Sequence, residues 1–268
     1  MGRIPRAESG TLTASDSSGS PRQFPLFEFS DPPLQRSRVK LRGLKSPIWT
    51  ENKAQLIERY LYYFVLITKH GAYIDGFAGP QDASQIDAWA ARLVLESEPR
   101  WLRHFFLCDA DADQYAALIA LRDRQPAAPK GSPRRAINIY HADFNLAVAD
   151  ILASGGIGEK EAAFCLLDQR TFECHWATVE RIARHKQHGS KVEIFYFLCA
   201  WWFDRAFHAI RNDTILAQWW GRSDWRSLAS MNNRTRADAL CERLTNDLGY
   251  KSALAWPIYS KADGGRIL

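Results

Sequence analysis

Residues 72–80 read AYIDGFAGP, and this stretch decides the fold class of the chain. The apolar residues before Asp75 are typical of a buried strand, and two glycines, Gly76 and Gly79, follow closely. Glycine lets the backbone turn tightly, adopt a positive φ or approach a ligand. The stretch therefore predicts a buried strand that ends in a tight turn, and this turn either cradles a ligand or only ends the strand.

Short apolar runs alternate with amphipathic runs after this turn. The runs HFFLC, AAFCLL and VEIFYFLCA are nearly continuous, which is typical of parallel strands buried on both faces. The alternation predicts an α/β fold, a mostly parallel sheet with helices on both faces. We expect strands near 72–76, 103–108, 137–141, 162–168 and 191–199, and helices near 84–97, 111–124, 144–153 and 174–188.

The two ends of the chain differ from this pattern. Residues 1–46 are rich in Ser, Pro and Arg, and they carry most of the formal net charge of +5. We expect a disordered basic tail over 1–46 and a folded domain over 47–268. The C-terminal third, from Trp201, predicts further helices, then the extended segment YKSALAWPIYS, a turn at ADGG and a short strand from Arg266.

The composition excludes several classes of protein. No apolar run is long enough to span a membrane, so we expect no membrane association. The five cysteines are scattered without a C-x-x-C pair, which favours a reducing, cytoplasmic compartment and no metal site. Outside the tail, basic and acidic residues nearly balance, so the composition does not indicate a nucleic-acid surface on the folded part.

Polar residues follow four of the predicted strands. In an open α/β sheet, ligands bind outside the carboxyl ends of the strands, where the strand order reverses. An acid after the second strand, Asp109, suits the ribose hydroxyls of a nucleotide cofactor, and Asp143 with Phe144 suits an adenine amine and ring face. Asp168 and Glu173 follow the fourth strand, where the reacting group would lie. Each acid has an alternative role, because Asp109 and Asp143 could cap the helices that follow and Asp168 could be a turn residue.

The sequence YIDGFAGP resembles the first motif of class I S-adenosylmethionine-dependent methyltransferases, particularly the D-x-F-A-G-x-G variant of cytosine DNA methyltransferases. More closely, the helix with Lys53 and Tyr60, YIDGFAGP, FFLCDADADQYAAL, LLDQRTFECHWATVERIA and LGYKSALAWPIY resemble the three-Cys-motif partner protein (TcmP) family from about residue 49 onward. The resemblance implies a Rossmann-like class I methyltransferase sandwich with a C-terminal helical insertion. It also implies a bacterial protein with S-adenosylmethionine as cofactor and a three-cysteine-motif protein as partner.

The resemblance also implies roles for individual residues. Asp168 would accept a hydrogen bond or proton from the methyl acceptor, with Glu173 in reserve, and a nucleic-acid acceptor follows by analogy. The alternative is a catalytically silent adaptor of the same fold that acts by binding its partner. The residues implied to bind the cofactor are Asp75, Gly76, Phe77, Ala78, Gly79, Asp109, Asp143 and Phe144.

Four features depart from the methyltransferase pattern. Gln81 stands where DNA methyltransferases carry another glycine, and the fourth strand ends in D-Q-R-T rather than D-P-P-Y. Phe172 comes one position late for the aromatic residue that stacks on a flipped base. The strand from Arg266 stops at Leu268, which predicts a C-terminally shortened domain. The first three of these departures affect the expected catalysis more than the expected cofactor binding.

Overall fold

The computed structural model describes residues 48–80, 86–127, 134–198, 200–210, 213–259 and 266–267. The predicted tail over 1–46, Gln81 and the predicted turn at 262–265 lie outside the described residues. These three expectations stay predictions.

Helices and strands alternate along the described chain up to β5. Short 3-10 helices cover Ile86–Ala88 and Ser223–Ser230. The α-helices are α1 (Ile48–Thr68), α2 (Ala90–Glu96), α3 (Ala112–Asp123), α4 (Phe144–Ala153), α5 (Trp176–Ala183), α6 (Ala200–Ala209), α7 (Asp213–Trp220) and α8 (Asn233–Asn246). The strands are β1 (Gly71–Asp75), β2 (Leu102–Asp109), β3 (Ala136–His141), β4 (Ala163–Leu167), β5 (Glu193–Tyr196), β6 (Ile258–Tyr259) and β7 (Arg266–Ile267).

The first five strands form one sheet in the order β3-β2-β1-β4-β5, and every neighbouring pair is parallel. Asp75, the last residue of β1, lies opposite Leu107 of β2 and Leu166 of β4. The strand order reverses between β1 and β4, which is the switch point of a Rossmann-like sheet. The predicted parallel sheet is therefore confirmed, and its carboxyl edge presents the ends of β1 to β4 together.

Apolar side chains pack on both faces of the sheet. On β1, Tyr73 packs with residues of α1, α2 and α3, whereas Ala72 and Ile74 pack with α4, α5 and the C-terminal helices. Both β1 and β4 are buried along their whole length. Continuous apolar runs are needed in these strands because neither face meets water.

The structure corrects two predicted helices. The helix expected over 84–97 is a 3-10 turn at Ile86–Ala88 followed by α2. The helix expected over 174–188 ends at Ala183, where the Lys191 Nζ donates to the Ala183 carbonyl at 3.0 Å. The chain beyond α5 also bonds to residues before β4, because a ring nitrogen of His185 lies 2.8 Å from the Ile157 carbonyl oxygen. These contacts replace the helical bonds that the sequence pattern predicted.

The strand expected over 191–199 is also shorter, since β5 covers only Glu193–Tyr196. Among the described residues, no strand pairs with the outer edge of β5, and β6 pairs antiparallel with β7 in a separate ladder. A groove of about 940 Å³ is lined by β5 and by residues 249–256. β5 is thus an edge strand in the described part of the molecule.

The described part of the chain also bears on the expected environment. No helix in it is long and apolar enough to cross a membrane. Cys108, Cys165, Cys174 and Cys241 are free thiols, and the first three are buried. Burial raises the pKa of the Cys108 thiol to about 12, so this cysteine behaves as a small apolar group.

Candidate functional site

The carboxyl edge of the sheet brings four predicted acids to one side of the molecule. Asp75 ends β1, Asp109 ends β2, Asp143 follows β3 and Asp168 follows β4. Parallel strands end at the same edge, so these residues lie where open α/β sheets form a ligand crevice, beside the switch point. The structure confirms this position but also gives each acid a partner within the protein.

Asp75 is a buried carboxyl group beneath the turn. It is 1% exposed, and it accepts hydrogen bonds from the Tyr73 hydroxyl at 2.9 Å and the Phe77 amide at 3.1 Å. Burial raises the pKa of Asp75 to about 7, and the charges of Asp168 and Asp109 act in the same direction. The two hydrogen bonds oppose this shift only in part. Asp75 therefore orders the turn that follows β1.

Hydrogen bonds from neighbouring strands fix the turn after Asp75. The Gly76 amide donates to the Leu166 carbonyl at 3.1 Å, and the Ala78 amide donates to the Cys108 carbonyl at 2.9 Å. On the far side, the Trp89 indole donates to the Ala78 carbonyl at 2.7 Å. The turn is thus held between β2 and β4 without any ligand.

Close packing explains why both positions in this turn are glycine. A Cβ atom on Gly76 would lie 2.6 Å from the Phe144 ring, and one on Gly79 would lie 2.3 Å from the Gln114 amide. Neither glycine has a positive φ. The expected close approach therefore occurs, but the groups that approach belong to the protein itself.

Asp109 bonds to the turn and to the start of α3. Its Oδ2 accepts from the Gly79 amide at 2.9 Å, and its Oδ1 accepts from the Asp111 amide at 3.0 Å. The side-chain amide of Gln114 lies between Asp109 and Arg170. In the orientation that satisfies both partners, the Gln114 nitrogen donates to Asp109 Oδ2 at 3.0 Å and the Gln114 oxygen accepts from Arg170 Nη2 at 2.9 Å. Asp111, not Asp109, is the N-cap of α3. A network from Asp109 to Arg170 thus joins the loop after β4 to the end of β2.

Asp143 caps α4, as one of the two alternatives predicted. Its Oδ1 accepts from the Asn145 backbone amide at 2.8 Å, and its Oδ2 accepts no hydrogen bond from the described residues. Phe144 is buried, and its ring centroid lies 6.1 Å from that of Phe77. Phe144 therefore belongs to the core beneath the turn, while the exposed Asp143 keeps one oxygen available.

Asp168 forms an ion pair with Lys53 of α1. The Lys53 Nζ donates to Asp168 Oδ1 at 2.6 Å, and the side chains are 4% and 12% exposed, respectively. Lys53 Nζ also lies 4.3 Å from the centroid of the Phe197 ring. No described residue donates to Asp168 Oδ2. One oxygen of this carboxylate is therefore held by Lys53, and the other receives no hydrogen bond from the described part of the chain.

The rest of the loop after β4 has structural partners. Glu173 Oε2 accepts from the backbone amides of Arg170 and Thr171, at 2.6 and 3.0 Å. Phe172 is 5% exposed and packs edge-on against Phe203 and Trp219. Phe172 therefore lies in the core and not in the crevice. Glu173 stabilises the loop in this structure, and its reserve catalytic role stays a prediction.

Three residues of the crevice received no role from the sequence. Gln114 and Arg170 are polar residues in polar surroundings, so no sequence signal distinguishes them. Lys53 carried a signal, because it precedes Ala54 and lies four positions before Ile57, both buried. A lysine next to the apolar stripe of an amphipathic helix is rarely buried unless it is paired.

Fold and crevice together define a Rossmann-like α/β protein with a row of carboxylates at its switch point. Comparison of the sequence with models of protein families and with curated proteins gave no match. Within the described residues, no group of three or more His, Cys, Asp or Glu side chains could hold a metal ion. Among the described residues, one oxygen each of Asp143 and Asp168 receives no hydrogen bond, and carboxylate oxygens such as these and those of the partly exposed Asp109 accept from hydroxyl and amino groups.

Proposed function

We propose that this protein is an S-adenosylmethionine-dependent methyltransferase whose crevice at the switch point binds the cofactor. The observation that supports this most is the reversal of strand order between β1 and β4, with the turn over 76–79 and Asp109 on one side and Asp168 on the other. Open α/β sheets bind nucleotide-like ligands at this point.

The residues that would hold the cofactor follow from their positions. The turn made by Gly76, Phe77, Ala78 and Gly79 would shape the binding surface, and Asp75 would keep it in place. Asp109 would bind the ribose hydroxyls after its bond to Gln114 opens. Asp143 would bind the adenine amine through Oδ2, and Phe144 would support the ring from the core.

When bound, S-adenosylmethionine would supply an electrophilic methyl group from its positively charged sulfur, which would leave as a neutral thioether. The protein's contribution is to position an acceptor in line with the bond between that sulfur and the methyl group. Asp168 Oδ2 would accept a hydrogen bond from the acceptor N–H or O–H and then its proton. A nucleic-acid acceptor is proposed by fold analogy alone.

A second function is favoured by the partners of the loop after β4. Lys53 already binds Asp168, Phe172 lies in the core and Arg170 bonds across the crevice to Gln114. These contacts suit a catalytically silent adaptor that keeps the fold and acts by binding a partner. The three-cysteine-motif protein implied by the resemblance is the partner that this alternative would take.

Calorimetric titration with S-adenosylhomocysteine tests cofactor binding. Asp109→Asn keeps an oxygen for the Gly79 amide but removes the charge, so we expect its affinity to fall by about tenfold, which corresponds to about 1.4 kcal/mol. Asp111→Asn is the matched control, because it removes a charge two residues away and keeps a good N-cap for α3. Equal affinities of the wild type and Asp109→Asn would remove Asp109 from the site, and no binding to folded wild type would reject the proposal.

Methyl transfer separates the enzyme from the adaptor. Radiolabelled S-adenosylmethionine would be incubated with total RNA, DNA and protein, with the wild type and Asp168→Asn in parallel. The enzyme gives a signal that falls in Asp168→Asn, because the substituted amide cannot take the acceptor proton. An adaptor that binds S-adenosylhomocysteine gives no signal that depends on Asp168.

A further inference from the structure

The pair of Lys53 and Asp168 is unusual among the ion pairs of the described residues, because neither side chain is substantially exposed. Lys53 is 4% exposed and Asp168 is 12% exposed. In every other such pair, at least one partner is 22% exposed or more. A buried ion pair costs desolvation energy and contributes little net stability, so stability alone does not account for it.

The surroundings hold the lysine in one place. Its ammonium group bonds to Asp168, which follows β4, and lies over the ring of Phe197, which follows β5. The neighbouring α1 residues Ala54 and Ile57 are buried in the core between α1 and the sheet. Lys53 is therefore fixed from three sides, and its charge sits at the carboxyl edge beside the expected acceptor position.

The two charges cancel at that position. Asp168 contributes one negative charge and Lys53 one positive charge, at a distance of 2.6 Å between Nζ and Oδ1. Asp75, a further acid at this edge, is buried, and this burial raises its pKa to about 7. The nearest basic residue in the loop, Arg170, bonds to Gln114 over β2 and not to Asp168.

We propose that Lys53 is a positioning and specificity-determining residue, which fixes Asp168 and balances its charge so that the site takes uncharged N–H or O–H acceptors and gives ammonium groups no electrostatic advantage. This inference rests on the proposed cofactor binding. An uncharged amine, amide or hydroxyl can donate to Oδ2 without a charge penalty. An ammonium group such as a lysine side chain would gain nothing from Asp168, because repulsion by Lys53 cancels the attraction.

Two ligands that differ in charge at the reacting position provide the test. S-adenosylhomocysteine is neutral at its sulfur, whereas sinefungin carries an ammonium group at the corresponding carbon. Both would be titrated calorimetrically, and the quantity compared is the ratio of their dissociation constants on the same variant. This ratio cancels any general loss of folding or of cofactor affinity, which a purely structural role for Lys53 would produce.

The ratio of the two dissociation constants should change in opposite directions in the two single variants. In the wild type we expect the two affinities to agree within about threefold. Lys53→Met leaves the Asp168 charge unbalanced, so sinefungin should gain about tenfold or more over S-adenosylhomocysteine. Asp168→Asn leaves the Lys53 charge unbalanced, so the affinity of sinefungin relative to that of S-adenosylhomocysteine should fall by a similar factor. Lys53→Arg and the double variant Lys53→Met/Asp168→Asn should both return the ratio to the wild-type value.

The outcomes separate the two proposals. If the wild type binds S-adenosylhomocysteine and the ratio is the same in Lys53→Met and Asp168→Asn, the role of Lys53 is rejected while cofactor binding stands. If folded wild type binds neither ligand, cofactor binding is rejected and the role of Lys53 with it. If Lys53→Met does not fold, Asp168→Asn and the double variant still decide the question.

Discussion

Replacing Asp75 by Asn should change how the stability of the protein depends on pH. The folded-state pKa of Asp75 is raised from 3.8 to about 7, because the carboxyl group is fully buried. The folded state therefore binds a proton more tightly than the unfolded state, and stability falls as pH rises from about 4 to about 7. The difference is roughly three pKa units at 1.36 kcal/mol each, which gives up to about 4 kcal/mol.

Asparagine removes this titration and keeps the contacts. Its oxygen can accept from the Phe77 amide, and its nitrogen can donate to the Tyr73 hydroxyl. We expect Asp75→Asn to match the wild type near pH 4 and to be more stable by up to about 4 kcal/mol above pH 7. Urea unfolding followed by tryptophan fluorescence between pH 4 and 8 measures this, with the exposed Asp87 replaced by Asn as control. A constant difference between wild type and Asp75→Asn over this range would refute the reasoning.

Two further predictions concern residues with a structural role in the crevice. Phe172→Ala should lower the free energy of unfolding by about 3 to 5 kcal/mol, because the ring is buried against Phe203 and Trp219. Denaturant titration measures this loss, and a value under about 1 kcal/mol would place the ring outside the core. Asp143→Ala should lower the free energy of unfolding by about 1 kcal/mol, because α4 loses its N-cap. Asp143→Asn should leave it almost unchanged, since asparagine is also a good N-cap. Equal losses for the two variants in the same titration would contradict the capping role.

The sequence predicted the sheet well because its strands are buried on both faces. The apolar runs around Tyr73, Phe106 and Phe164 exclude other placements, and the predicted positions agree with β1, β2 and β4 within one residue at each end. Helix ends were harder to predict, as α5 shows. Its last carbonyl is bonded by Lys191, eight residues ahead, and a periodicity pattern contains no information on such a contact.

The candidate site was predicted by position but not by its bonds. The rule for strand ends located Asp75, Asp109, Asp143 and Asp168 correctly at one edge. The partners that satisfy them come from distant parts of the chain, since Gly79 is 30 residues from Asp109 and Lys53 is 115 residues from Asp168. Only the packing of α1 against the sheet brings the last pair together. The capping role of Asp143 could be predicted as one alternative, because the Asp143 carboxylate and the Asn145 amide that donates to it are two residues apart in the sequence.

The outer edge of β5 has a consequence for the behaviour of the described fold at high concentration. The Phe197 amide bonds to Leu167 of β4, so by alternation the peptide groups of Ile194 and Tyr196 point away from β4. Both residues line the groove, as do Leu254 and Trp256, which are exposed large apolar side chains. Unpaired peptide groups beside apolar side chains are a template for strand exchange between molecules. Self-association of this domain should therefore begin at β5, far in sequence from the glycine turn, and a lysine introduced at Leu254 should suppress it without touching the crevice.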